Sequence, residues 1–403
     1  MGETFSRYRW VIVAMTSLTN LLDISFIGAS VTSLLLYTIK TDLNLTGIQI
    51  SLLASAGSFT AWLALFAGIL ADRYGVRRIC GIGIMITSIS ALCKGFSTNF
   101  WTFFLASELF GIGNILFIPN PPKLLRVWFP SKELGLANGI NMAGVGAGSA
   151  LAVALVTITL AFVGSWRYIF IVYAIPAFVG VILWWLFVQD KPFKKGTVVS
   201  KTRTSPFKGL RQVVKVRNVQ IQIIEKIFSG PATVAFATFF PYLLQMRGYS
   251  LQEAGVMTTI KMWCGTLGNF IIPVITDRVK KRKPLYIISA IIITSCSFLM
   301  LLDLPLILWI IPVLYGFFSS GRNTLSLIVT TESVGPKYGG TATGFLMTFS
   351  SFMSLGSSLI IGYLIDVYGS FIAPFLFAAV MELGLAIASL SIKEAYATTK
   401  NEE

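Results

Sequence analysis

The sequence predicts an all-α membrane protein with twelve transmembrane helices in two pseudo-symmetric six-helix bundles. Three observations carry that expectation. Hydrophobic residues make up 55% of the 403-residue chain and charged residues only 12%, about half the charged share of an ordinary soluble domain. The apolar residues fall in runs of about 20, the length that crosses a bilayer as a helix. An acidic residue followed by basic ones closes the second run, Gly68-Ile-Leu-Ala-Asp72-Arg73-Tyr-Gly75-Val-Arg77-Arg78. The pattern returns 205 residues later as Pro273-Val-Ile-Thr-Asp277-Arg278-Val-Lys280-Lys281-Arg282-Lys283.

The expected spans of the first half are 9–37, 48–70, 79–95, 101–126, 135–160 and 168–188. Those of the second half are 218–245, 251–275, 285–303, 306–329, 341–364 and 371–392. The first run is too long for the core of a signal peptide, and no small-residue cleavage site follows it, so it reads as a retained helix. With the N-terminus in the cytoplasm, most of the 32 Lys and Arg fall in cytoplasmic loops, tails and helix ends; Lys40, Lys94, Arg167 and Arg247 fall outside. That is the positive-inside bias. Both termini are expected in the cytoplasm and the protein in the plasma (inner) membrane. The net charge of +15 therefore reports topology and attraction to anionic lipid, not a nucleic-acid partner.

The 205-residue offset recurs without gaps. Gly111 matches Gly316, Ala137 matches Ala342, Gly139 matches Gly344, Gly164-Ser165 matches Gly369-Ser370, and Phe170 matches Phe375. Two halves of the same orientation follow, related by an axis along the membrane normal. The expected domains are a bundle over 1–189, a basic cytoplasmic linker over 190–217, a second bundle over 218–392 and a cytoplasmic tail over 393–403.

Several function classes drop out. The chain has no histidine, which excludes histidine catalysis and histidine proton relays. It has no nucleotide-binding loop and no extramembrane fold to hold an enzyme site. Cys80, Cys93, Cys264 and Cys296 fall in predicted spans without metal-ligand spacing. No disulfide framework, metal or cofactor is expected, and the protein is expected to be a monomer.

The twelve spans, the repeat, the long central loop and the Asp72-Arg73 loop together resemble the major facilitator superfamily of transporters, over nearly the whole chain. Trp128-Phe129-Pro130-Ser-Lys-Glu133-Leu-Gly135-Leu-Ala-Asn138-Gly139 and Gly164-Ser-Trp166-Arg167-Tyr-Ile-Phe170 look like loops of its anion-handling branches. The resemblance implies rocker-switch alternating access. It also implies that Asp72, Arg73, Arg77, Asp277 and Arg278 latch the halves together on the cytoplasmic side. The second copy has Pro273 for Gly68 and Lys280 for Gly75, so the two latches are expected to be unequal. The chain departs from the family in places. Ser107 stands at the usual arginine of the fourth span. Asp23 is followed by Ile24 where organic-anion symporters have arginine, and Asn114 stands at their glutamate. The fifth span, Gly139 to Gly148, lacks the Gly-Pro pair of drug/proton antiporters, and its glycines read as close helix packing.

An ionisable residue inside a membrane span is costly and marks function by default. Lys261 lies mid-way along the eighth span on a face with Gly265 and Gly268, and its repeat partner is Ala56. Arg322 lies in the tenth span on a face with Tyr315, Ser319 and Ser326, opposite Phe117 in the repeat. Arginine offers a bidentate fork to a carboxylate. The resemblance places the first, fourth, seventh and tenth helices around the central cavity. Lys261 and Arg322 are therefore the expected substrate-binding cations. The alternatives are a bundle carboxylate for Lys261, and Glu332, Asp23 or Glu382 for Arg322. Asp23, which shares a face with Asn20 and Thr16, is the expected coupling carboxylate, with Glu108 second; the alternative for Asp23 is permanent pairing with a cation. Glu225 and Lys226 read as structural residues at the cytoplasmic mouth, and Glu382 as structural. Asn114 and Asn141 are candidate polar contacts for a solute, and Trp62, Tyr242, Trp263 and Tyr315 candidate walls. Pro119, Pro121 and Pro122 predict a kinked fourth helix.

The expectation is a secondary active transporter of a small organic, carboxylate-type anion, coupled to a proton or ion or working by exchange. The alternatives are an exporter or antiporter of a neutral or cationic compound, and a non-transporting membrane sensor.

Overall fold

The computed structural model describes residues 7–60, 63, 67, 70–71, 73–190, 211–302, 304–334, 339–370 and 372–394. The described chain is helical, and nine of its helical stretches are long and apolar enough to cross a membrane. Lys283–Leu299 is a shorter apolar helix. The chain divides into two compact units. One comprises Met1–Val199 with Ser250–Gly255, the other Ser200–Tyr249 with Val256–Glu403.

The first unit opens with α1 (Tyr8–Thr19), which runs on through a wide π turn at Asn20–Ile24 and the short Ser25–Ile27. It breaks at Gly28 and resumes as α2 (Ala29–Leu43). A side chain at Gly28 would press on the Ile24 carbonyl, its Cβ only 2.5 Å from that oxygen. α2 stops at Asn44, whose left-handed φ of 49° closes the helix. α3 (Gly47–Ala54) starts on a reciprocal cap: Gln49 N donates to Thr46 Oγ1, and Thr46 N donates to Gln49 Oε1. The expected span 48–70 is helical to Ala54, residues 55–60 form turns, and Ala67 and Leu70 are helical again. The Ser55 hydroxyl folds back onto the Ser51 carbonyl at 2.7 Å, and Gly57 takes a φ of 87° that other residues avoid. Most of the remainder of that span lies outside the described residues.

α4 (Val76–Gly95), α5 (Phe100–Phe117), α6 (Pro121–Trp128), α7 (Ser131–Val163) and α8 (Trp166–Phe187) complete the unit. The expected fourth span is two helices. Pro121 and Pro122 open α6, where missing N–H groups do no harm, and Asn120 Nδ2 donates to the Leu116 carbonyl across the break. The fifth-span glycines divide by role. A Cβ on Gly148 would lie 2.7 Å from Leu21 and Ser25, and one on Gly144 would meet Ser17, so both let α7 lie close on α1; Gly139 has nothing within 4 Å.

In the second unit α9 (Arg217–Val234) passes through a π turn at Ala235–Phe239 into α10 (Phe240–Met246). α11 (Leu251–Val279), which belongs to this unit from Val256 on, α12 (Lys283–Leu299), α13 (Pro305–Val334), α14 (Gly339–Tyr368) and α15 (Ile372–Leu390) follow. α11 is long enough to span but is not among the nine apolar helices, because Lys261 and several Gly, Thr and Asn residues dilute its apolar character. Small residues clamp α11 to α13. A Cβ on Gly265 would lie 2.6 Å from Ser320 Oγ; one on Gly268 would strike the Phe317 carbonyl, and one on Gly316 the Lys261 carbonyl. Close approach through small residues is the usual packing of helices in lipid.

Candidate functional site

In the first unit the polar residues gather at the π turn of the first helix. A π turn frees local backbone groups and re-aims side chains. Asp23 is fully buried there. Its Oδ2 accepts from Thr87 Oγ1 of α4 at 2.5 Å, and its Oδ1 has no hydrogen-bond partner. Asn20 Nδ2 donates to the side-chain and main-chain oxygens of Asn141, at 2.9 and 3.3 Å, while Asn141 Nδ2 is left without an acceptor. Glu108 Oε1 accepts from the Gly57 backbone N–H at 3.0 Å, satisfying a donor that the irregular turn sets free, and its Oε2 has no partner. Asn114 is half-buried with its Oδ1 unpaired. Asp23 is not paired with a cation among the described residues.

Lys94, expected among the outward loop charges, is instead buried at 2% exposure. α4 runs on to Gly95, and α5 and α8 close over its end. The ammonium donates to the Ile27 carbonyl at 3.3 Å and lies 4.9, 5.4 and 5.9 Å from the rings of Phe110, Phe170 and Phe103.

The second unit carries a denser network. Arg322 is buried, and its Nη2 lies 3.0 Å from Glu225 Oε1 and 3.2 Å from Ser389 Oγ. Its guanidinium stands 4.4 Å from the centre of the Tyr286 ring. Tyr286 Oη donates to Glu225 Oε2 at 2.5 Å, and Ser389 Oγ donates to Glu225 Oε1 at 2.9 Å. The partner of Arg322 is thus Glu225, not Glu332, Asp23 or Glu382. Glu225 is 2% exposed, so it belongs to the bundle interior and not to a mouth. Glu382 accepts from Ser297 Oγ, and Glu332 is held by Arg282 at 2.8 Å. Gln222, one turn before Glu225, accepts from Ser326 and Thr330 of α13 at 2.9 and 2.5 Å. Neither Gln222 nor Glu225 was singled out for binding by sequence. The available signal was their spacing of three on one helix face.

Lys261 is buried, donates to the Phe236 carbonyl in the π turn of the second unit, and lies 5.2 Å from the Phe240 ring. It has no carboxylate partner among the described residues. Tyr315 stacks on Phe236 with 3.7 Å between ring centres, so it belongs to this cluster. Trp263 does not: it is 48% exposed, because two residues along a helix turn the side chain about 200° away from Lys261.

Of the expected latch residues, Asp72 lies outside the described residues, as does Trp62. Arg73 and Arg278 are exposed. The Arg77 backbone N–H donates to both oxygens of Asp190, at 3.0 and 3.3 Å, and its guanidinium to the Trp185 carbonyl at 2.5 Å. Asp277 Oδ1 pairs with Arg282 Nη1 at 2.6 Å. The N–H groups of Arg282 and Lys283 donate to Glu394, at 2.8 and 3.1 Å. Lys393 also bonds Asn218 through its backbone, so the expected tail begins with two residues held in place.

The description of the model that matches the chain is Major Facilitator Superfamily, over residues 18–355 and 226–403. The chain belongs to the Major Facilitator Superfamily. As a member of this family of transporters it is not an enzyme. Similar to it are the "Probable sulfoacetate transporter SauU" of Cupriavidus necator (24% identical over 395 residues, 88% of this chain and 87% of that protein) and the hexuronate transporter of Bacillus subtilis (24% over 390 residues, 92% and 90%). A third is the "Probable galactarate/D-glucarate transporter GudP" of Bacillus subtilis (25% over 402 residues, 90% and 87%). Among solved structures, the nucleoside transporter NupG superposes with a TM-score of 0.79 (16% identity, 95% of this chain and 99% of that one). An inward-facing, unoccupied bacterial homologue of the lysosomal transporter Spinster gives 0.77 (17%, 99% and 98%). These likenesses show the superfamily fold.

Proposed function

We propose that the chain is a secondary active transporter of a small organic anion of the carboxylate type, working by rocker-switch alternating access. The observation that carries this reading is Lys261, an ammonium buried in a membrane protein and held, among the described residues, by a main-chain carbonyl and an aromatic face. A carbonyl is a weak partner for a full charge, and an anionic solute is a better one. The relatives named as a probable sulfoacetate transporter, a hexuronate transporter and a probable galactarate/D-glucarate transporter support the anionic class. In this reading twelve spans form two six-helix bundles over 1–189 and 218–392, joined by the cytoplasmic linker 190–217. Both termini face the cytoplasm, and the protein sits as a monomer in the plasma membrane. Lys261 and Arg322 receive the anion, with Tyr315 in the same unit, and Asn114 and Asn141 are further polar contacts for the solute. Asp23 and Glu108 carry the coupling proton or ion, and the Asp72 and Asp277 loops act as unequal latches.

The test is counterflow of radiolabelled galactarate, glucuronate and sulfoacetate in proteoliposomes. Lys261→Met is expected to lower counterflow at least ten-fold while the protein stays monodisperse; wild-type rates in a folded Lys261→Met protein would remove Lys261 from the site. A second reading, transport of a neutral or cationic compound, is favoured by the unpartnered carboxylate oxygens of Asp23 and Glu108. It predicts no counterflow with any of the three anions.

A further inference from the structure

Among the described residues, two buried N–H donors in the network of the second unit meet no acceptor: Arg322 Nε and Gln222 Nε2. Arg322 is 6% exposed and Gln222 0%. Native interiors leave few such groups, because an unmet buried donor has given up its hydration for nothing, and a charged one loses the most. The two belong to one cluster. Gln222 accepts from Ser326, which lies one turn beyond Arg322 on α13, and Glu225, one turn beyond Gln222 on α9, is the carboxylate on Arg322. Glu225 does not use the guanidinium fork. Its Oε1 meets Nη2, and its Oε2 is turned to Tyr286, so the nitrogen best placed for a two-point contact stays open.

A guanidinium N–H and a carboxamide N–H ask for the same thing, an oxygen with lone pairs and no proton to donate. With a permanent cation as one of the pair, a carboxylate suits them better than a hydroxyl or an amide. We propose that Gln222 and Arg322 form a seat for a carboxylate group of the transported solute, and that Glu225 is the internal carboxylate that holds Arg322 while the seat is empty. This rests on the reading of the chain as an anion transporter. It adds a specificity-determining residue, Gln222, and gives Glu225 the part of a displaceable stand-in for the solute.

The seat is tested in full-length protein in detergent with formate as the carboxylate probe and formamide as its neutral counterpart, at constant ionic strength. Glu225→Gln takes the stand-in away. Its thermal midpoint is expected to rise with formate and not with formamide, and the rise is expected to vanish in the Gln222→Glu/Glu225→Gln double variant. Gln222→Glu keeps an acceptor for Ser326 and Thr330 but turns the free donor into a repelling oxygen. In that single variant the KM for galactarate or sulfoacetate counterflow is expected to rise at least ten-fold, with the maximal rate changed far less. Equal response to formate and formamide, no response to formate, or an unchanged KM in Gln222→Glu overturns the seat. Should Glu225→Gln not fold, the KM of Gln222→Glu decides alone. A wild-type protein that carries none of the anions while the formate effect holds would instead overturn the transport reading and leave the seat standing.

Discussion

An ammonium buried in a membrane protein has lost its hydration, and whatever surrounds it must compensate. Lys94 and Lys261 meet that demand without a carboxylate among the described residues. Each donates to a main-chain carbonyl at an irregular point of its unit's first helix, Ile27 before the Gly28 break and Phe236 in the π turn. Each also lies against phenylalanine rings. Lys94 adds the negative end of the helical segment that stops at Ile27, which favours a cation. Replacing it by methionine keeps the bulk but removes the donor and the charge. Lys94→Met is expected to lose about 1–3 kcal/mol of stability, read as a lower thermal midpoint of purified protein. An unchanged midpoint would show the cage to be mere filling. Lys261 was legible from sequence as a costly residue; Lys94 was not, since it read as an outward charge. Nor were its partners, because Phe103, Phe110, Phe170 and Ile27 come from three other helices.

At the scale of helices, the glycines separate by what faces them. Gly268→Val is expected to abolish folded expression, since a side chain there strikes the Phe317 carbonyl of α13 and overpacking forces backbone shifts. Gly139→Ala, with open space around it, is expected to express and behave as wild type in size-exclusion chromatography. The start of α4 makes a second case. Asp190, just beyond α8, accepts from the Arg77 backbone N–H; Glu394, just beyond α15, does the same for Arg282, its 205-offset partner. A carboxylate at a helix start meets both free N–H groups and the helix dipole. Asp190→Ala is expected to cost about 1 kcal/mol, measured as a small fall in midpoint that Asp190→Asn largely restores. Positive φ also recurs in the turn that precedes these caps, at Gly75 and at Lys280. The second copy keeps it without the glycine, although α12 starts at Lys283, two residues later than the match of Val76. The change placed a lysine in a backbone region that costs about 1–2 kcal/mol, and Lys280→Gly is expected to raise the midpoint rather than lower it.

For the whole molecule, hydropathy and the 205-residue register pointed to a duplicated helical membrane protein, the Asp72-Arg73 loop and its companions resembled the Major Facilitator Superfamily, and the family match agrees. These were legible because a bilayer imposes one length on every span and a duplication writes one register throughout. Trans-stimulation of anion efflux by external anion, and not by an organic cation, is expected at this scale. Cation-stimulated efflux would favour the second reading. The sequence by itself determined the helical membrane-transporter class and the cost of Lys261 and Arg322 inside apolar runs, since each follows from local composition. Only the tertiary structure decided that Arg322 is held by Glu225, that Lys94 is caged, that Trp263 faces away from Lys261 and that Gln222 keeps an open donor. Those outcomes depend on which faces of separate helices meet, and a pairing between residues some hundred positions apart leaves no mark on the periodicity of either helix.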